Sequence, residues 1–252
     1  MSIYIVSDDQ VTKVTTKQIP SGYDGPVYHV ADSNKKYTNT PECAYLIFST
    51  LAVVTCPNRT RMCGGYLKGE TPEEGRAAAI AAGFKPAQCY ALIAEKVYPQ
   101  VKPARKDNTL ATLSDNFVRD MTAIIKKRAA SMRKPKLIVR IHESGDFYSK
   151  KYAEKWLDIA SACQDDIRIE FWVYTKSFSF FDGVTVPENF HLIASVWGDT
   201  KKSDLEVIAR NGWRTYSAVE KFTTEPDENR CHCANCGKCG NYSIQWIRGK
   251  IH

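Results

Sequence analysis

Leu137-Ile-Val-Arg-Ile141, followed by Ser149 to Cys163 and then by Ile167 to Tyr174, is the stretch that decides the fold class of this chain. The first and third segments are short, apolar and rich in β-branched or aromatic residues, as buried strands are. Between them Tyr152, Trp156, Ile159, Ala160 and Cys163 share one face of a helix. The alternation continues: Phe190 to Val196 is a strand, Ser203-Asp-Leu-Glu206 caps a helix reaching Asn211, and Trp213 to Val219 is a last strand. Strands alternating with helices of this length imply right-handed βαβ units and a parallel α/β sheet, either open or curled into a partial (β/α) barrel.

Upstream, Leu46-Ile-Phe-Ser-Thr-Leu-Ala-Val-Val-Thr-Cys56-Pro predicts a strand over 45–55 that ends in a loop presenting a thiol. Two more thiols follow, Cys63 and Cys89, the latter opening a helix from Tyr90 to Val97. Between them lies a helical insertion, 64–88, with a capping box at Thr71-Pro-Glu-Glu74 and a stop at Gly83. The segment from Lys102 to Asn108 is basic and rich in turn formers. A long amphipathic helix, 114–133, then places Phe117, Met121, Ile124 and Ile125 on one face. Residues 2–7 suit a short strand, but Pro20, Gly22, Gly25 and Pro26 mark the rest of 1–44 as an arm with little regular structure. The division expected is an N-terminal arm (1–44), an α/β core (45–220) and a cysteine-rich tail (221–252).

The chain has 252 residues, enough for one large domain, with 43% hydrophobic and 25% charged residues in an ordinary globular balance. A net charge of +7 suits either a polyanionic partner or a lysine-rich solvated surface. The first residues lack the basic and apolar pattern of a signal peptide, and no run is long enough for a membrane span. The expected location is therefore the cytoplasm. Nine cysteines in a reducing compartment point away from disulfides, and seven of them fall in two groups.

In parallel α/β folds ligands bind where the strands end at their carboxyl edge. The residues there are Cys56 and Cys63, His142-Glu-Ser-Gly-Asp146, Thr175-Lys-Ser177, Ser195 with Trp197, Gly198 and Asp199, and Glu220 with Lys221. Three converging thiols can hold three irons of a [4Fe–4S] cluster and leave the fourth open to S-adenosylmethionine. Ser144, Gly145 and Asp146 suit the methionine end of that cofactor, because glycine permits close approach and a carboxylate accepts from an ammonium. Thr175 and Ser195 extend the cofactor set; His142, Glu143 and Lys176 are the candidates for acid–base work.

Cys231-His-Cys233-Ala-Asn-Cys236-Gly-Lys-Cys239 packs four thiols into nine residues. Zinc sites separate two cysteine pairs by a spacer that is missing here, so a second iron–sulfur centre and zinc both stay open for the tail. His232 and His252 are alternative ligands there. Arg59, Arg61, Lys102, Arg105 and Lys106, with Tyr66 and Tyr98 nearby, form a set able to meet nucleic acid, chiefly through 102–106, or simply a solvated face. Cys43 and Cys163 read as small buried hydrophobes.

Five motifs carry a resemblance: Cys56-Pro57 with Cys63, Gln88-Cys-Tyr-Ala91, Tyr98-Pro-Gln-Val101, Val139-Arg-Ile-His-Glu-Ser-Gly-Asp-Phe-Tyr148 and Phe171-Trp-Val-Tyr-Thr-Lys-Ser177. Over residues 45–200 the chain resembles the phage gene product 88 family, itself similar to radical-SAM-like partial TIM barrels. The resemblance implies cluster-binding roles for Cys56, Cys63 and Cys89, and a glycine and acidic motif at Ser144-Gly145-Asp146. The gaps between the cysteines, six and twenty-five residues, depart from the compact C-x3-C-x2-C loop of radical-SAM enzymes. The function expected is that of a radical-SAM-type enzyme fed by an electron donor, in the host cytoplasm if phage-encoded, acting on a nucleotide, nucleic acid or peptide. The rival is a non-catalytic nucleic-acid-binding protein stapled by zinc or a complete cluster. A third arrangement shares one cluster between core and tail.

Overall fold

The structure, a computed structural model, describes residues 1–7, 10–34, 37, 39–83, 89–219 and 246–250. Among the described residues nine strands form one sheet: β1 (Ser2–Ser7), β2 (Gln10–Val14), β3 (Val27–Ala31), β4 (Cys43–Phe48), β5 (Lys136–Ile141), β6 (Ile169–Thr175), β7 (Phe190–Val196), β8 (Arg214–Val219) and β9 (Trp246–Lys250). Their order is β2-β1-β3-β4-β5-β6-β7-β8-β9. From β4 to β9 every pairing is parallel, whereas β1, β2 and β3 join antiparallel beside β4. The helices are α1 (Arg61–Gly64), α2 (Pro72–Ala81), α3 (Tyr90–Val97), α4 (Val101–Ala111), α5 (Phe117–Ala130), α6 (Lys150–Ala162) and α7 (Lys202–Arg210). Among the described residues no helix is long and apolar enough to cross a membrane.

Parallel strands that follow one another in chain order have no reversal point, so right-handed crossovers bring their helices to one face. Packing agrees with that rule. Phe48, Val139, Ile141, Phe171 and Leu192 form one buried cluster with Phe117, Met121 and Ile124 of α5 and Tyr152, Trp156 and Ile159 of α6. The opposite face alternates with it residue by residue and carries Tyr45, Ile138, Trp172, Tyr174, Ile193 and Tyr216. We call these the helix face and the aromatic face.

Four boundaries differ from the sequence expectation. The predicted arm supplies three strands, because Tyr28 and Val30 bury fully against the core and the Tyr28 hydroxyl donates to Asp120 at 2.8 Å. The basic segment 102–108 is helical: Pro103 lies in the first turn, where a missing N–H costs nothing, and Asn108 bonds to both His29 and Ser49. The strand predicted over 45–55 stops at Phe48, and Val53 takes a left-handed φ of 65°. The end of the expected tail pairs with β8 as β9, so the sheet extends beyond residue 220.

Candidate functional site

The loops leaving β4, β5, β6 and β7 lie side by side at the carboxyl edge, and the loop after β4 is held by its own side chains. Arg59 gathers it from within: Nε donates to Tyr66 O at 2.8 Å, Nη1 to Cys56 O at 3.1 Å and Nη2 to Leu67 O at 2.9 Å. Its guanidinium also lies 4.6 Å over the Tyr66 ring. A planar fork of five donors suits this task, and Cys56 and Cys63 flank it in the chain. Thr60 caps α1 by accepting from Cys63 N, and Met62 N donates to Asp199 Oδ2 at 2.9 Å, tying this loop to the one after β7.

Cys89 stands at the N-cap of α3. That helix is fixed by Glu95, whose Oε1 accepts from Ala52 N at 2.7 Å and from Arg105 at 3.2 Å; Arg105 also donates to Ala91 O at 2.8 Å. Ala91 and Leu92 pack on Ala52 and Val53. Three chain segments thus bring Cys56, Cys63 and Cys89 into one another's electrostatic field. Burial pushes the Cys56 thiol well up and the Cys63 thiol up to about 11, and each neighbouring sulfur adds to the rise. At neutral pH these two are thiols rather than thiolates, so they are poor nucleophiles, and a metal would have to displace their protons.

Beneath them lies a lattice built from the residues singled out in the sequence. Ser144 Oγ donates to Thr50 O at 3.0 Å, and Thr50 N donates to Ser144 O at 3.1 Å. Gly145 has φ +85°, and a Cβ there would stand 2.0 Å from Thr50 Oγ1 and 2.6 Å from Thr55 Oγ1. Only glycine fits that position. Asp146 is buried and saturated: Oδ1 accepts from Thr175 Oγ1 at 2.6 Å and Phe147 N at 2.8 Å, and Oδ2 accepts from Lys176 N at 2.9 Å. Burial raises its carboxyl above the usual range while these bonds oppose the rise. Lys176 donates to Ser195 O at 2.9 Å and stands 5.0 Å over the Trp197 ring; burial lowers its pKa, against the pull of Cys63 and Asp146.

His142 follows a different course. Strand alternation would put it on the aromatic face with Arg140, but φ +56° turns its ring to the helix face, where Nε2 lies 2.9 Å from the Tyr152 hydroxyl and Phe147 packs edge-on. Burial and the neighbouring Arg140 charge lower its pKa to about 3, so it stays neutral. Glu143 accepts from Asn34 Nδ2 at 2.7 Å, and its backbone carbonyl accepts from the Tyr90 hydroxyl.

Asp199, named in the sequence only as one polar residue at this edge, is the group whose importance geometry raises. Its Oδ1 is buried without a hydrogen-bond partner, and its charge acts on both Cys63 and Lys176. The positioning residues Arg59, Glu95 and Arg105 were also illegible as such; a charge in a loop gives no sign that backbone carbonyls will surround it. Of the expected nucleic-acid set, Arg59 and Arg105 are engaged inside the fold, Arg61 pairs with Glu70, and Lys102 and Lys106 are exposed.

Cys56, Cys63 and Cys89 are free thiols, a soft donor set in chemistry. Among the described residues, no three His, Cys, Asp or Glu side chains gather tightly enough for a single ion. A cluster asks less of the sulfurs than one ion does, because each thiol meets its own iron. Cys231, Cys233, Cys236 and Cys239, with His232 and His252, lie outside the described residues. Cys163 is buried in the helix-face core as expected, and Cys43 is half-buried.

A mixed α/β protein with a mostly parallel sheet and a thiol-bearing carboxyl edge is thereby defined. The chain belongs to the gene product 88 family, whose model matches residues 12–242. No curated protein and no solved structure matches it.

Proposed function

We propose that the protein is an iron–sulfur enzyme of the radical S-adenosylmethionine type, with Cys56, Cys63 and Cys89 as the ligands of one [4Fe–4S] cluster. What supports this reading is that three cysteines, separated by six and twenty-five residues in the chain, lie near enough at the carboxyl edge for Cys56 and Cys63 to feel the charge of the other sulfurs. When bound, such a cluster supplies the electron that cleaves the sulfonium of S-adenosylmethionine. The chain's own residues do the positioning. Asp146 serves as a strut between β5 and β6, so the cationic end of the cofactor falls to Asp199, whose Oδ1 lacks a donor. Lys176, stacked over Trp197, stands beside it at the same edge. The tail cysteines are read as a second iron–sulfur or zinc centre.

Anaerobic reconstitution followed by iron, sulfide and zinc counts tests the proposal. About four irons are expected for the core site, with an EPR signal of the reduced cluster that changes on adding S-adenosylmethionine. Cys89→Ala should remove this iron and leave metal bound by the tail. Zinc without iron would overturn the reading, and parallel loss from both sites would point to a shared centre.

A further inference from the structure

One helix beside the thiols is apolar on two sides. Through Ala91 and Leu92, α3 packs on Ala52 and Val53, and Arg105 of α4 holds it there by donating to Ala91 O at 2.8 Å and to Glu95 at 3.2 Å. Its opposite side carries Ile93 and Val97, 42% and 59% exposed, and Tyr98, just after the helix, is 51% exposed. The adjoining loop exposes Val54 as well, at 74%. A helix that is apolar all round belongs under cover, and large apolar side chains held open together mark a contact surface. Lysines border the strip: Lys96 on α3, and Lys102 and Lys106, one turn apart on the outward side of α4, are all exposed. The two carboxylates of the stretch 90–113 are already engaged, Glu95 by Arg105 and Asp107 by His29.

That pattern selects among occupants. A second copy of the chain would set lysines against lysines across a two-fold contact. Nucleic acid would answer the lysines with phosphate but leave Ile93 and Val97 without a role, and the arginines of this region, Arg59 and Arg105, are turned inward to backbone carbonyls. An acidic protein answers both features, with carboxylates for the lysine rim and apolar side chains for the centre. The position says what such a protein would do. Cys89 is the N-cap of α3, and the eight residues of that helix span about 12 Å, which bounds how far along it Ile93 and Val97 stand from the thiol-bearing residue.

We propose that the outward face of α3 and α4 docks an acidic one-electron carrier protein, from which a single electron passes to the cluster held by Cys56, Cys63 and Cys89. The carrier is oxidised and the cluster reduced by that electron. Where the electron goes rests on the iron–sulfur reading; the docking surface does not. Its test is isothermal titration calorimetry on the full chain, as isolated and after iron reconstitution, with an acidic flavodoxin, an acidic plant-type ferredoxin and, as the opposite charge, a basic cytochrome c as probes. At least one acidic carrier should bind, more weakly at high salt than at low, and cytochrome c should not. Replacing Lys102 and Lys106 together by Glu, or Val97→Asp alone, should weaken that binding by about tenfold or more, with iron content and reduction by dithionite unchanged. Should the Val97→Asp chain lose its native circular dichroism, the lysine pair decides. Absence of binding by both acidic carriers, equal binding of cytochrome c, full affinity in both folded variants, tighter binding of a single-stranded oligonucleotide, or a dimer of the chain that these substitutions abolish would each overturn the proposal. A chain that binds the carrier but takes up no iron would defeat the enzyme reading and leave the surface standing. An iron-loaded chain that dithionite reduces and neither acidic carrier binds would do the reverse.

Discussion

The two faces of the central sheet obey different rules. On the helix face, Phe48, Phe117, Tyr152, Trp156 and Phe171 interlock with ring centroids 5.5 to 6.5 Å apart, almost wholly shut off from water. Across the same strands, Arg140, Trp172, Tyr174, His191 and Tyr216 mix charge, hydroxyl and ring, and Tyr174 and Tyr216 are half-buried. A sheet that needed only stability would bury aliphatic side chains on both sides, as parallel sheets commonly do. The helix face is thus a continuous aromatic and aliphatic core, whereas the aromatic face buries Ile138, Trp172 and Ile193 among polar and charged groups.

That contrast can be broken by mutation. The largest effect belongs to Trp156→Ala, which empties the middle of the helix face and should cost about 3–5 kcal/mol in denaturant unfolding. Gly145→Ala comes next. It sets a Cβ against two threonine hydroxyls at positive φ, so a loss of about 2 kcal/mol or more is expected, together with loss of iron from the displaced 50–63 loop. His142→Asn probes the imidazole turned to the helix face. The folded histidine titrates near 3 and the unfolded one near 6.5, so the unfolded chain binds the extra proton and stability falls as pH drops through that window. Asparagine tolerates the left-handed backbone and should flatten this acid limb by at most about 1.4 kcal/mol per pH unit. The smallest effect is expected on the aromatic face, where Tyr174→Leu should change unfolding free energy by about 1 kcal/mol or less. A loss there equal to that at Trp156 would erase the distinction between the faces.

Much of the parallel half was legible, because strands buried on both sides are written as continuous apolar runs and their helices carry a clean period. The segments 190–196 and 72–81 are strand and helix as read. Of the N-terminal strands β1 was legible at 2–7, but two were hidden by their composition: β2 is an exposed edge with little to bury, and β3 is flanked by Pro26 and a polar run. Among the candidate residues, Ser144, Gly145, Asp146, Thr175, Lys176 and Ser195 do come together at one edge. Their tasks there were not legible, since Asp146 looks the same in a sequence whether its oxygens are saturated by neighbours or left for a ligand.

What the sequence determined by itself was the alternation of strands and helices in the parallel half and the edge at which its polar residues and thiols gather, because periodicity and spacing are local properties. The tertiary structure decided which polar groups are already satisfied and which are not. Asp146, Arg59 and Arg105 were taken into the framework, whereas Asp199 Oδ1 is buried with no hydrogen-bond partner among the described residues. The reason is that hydrogen-bond saturation depends on residues more than a hundred positions away, as Asp199 is from Met62, and no window along the chain contains both partners.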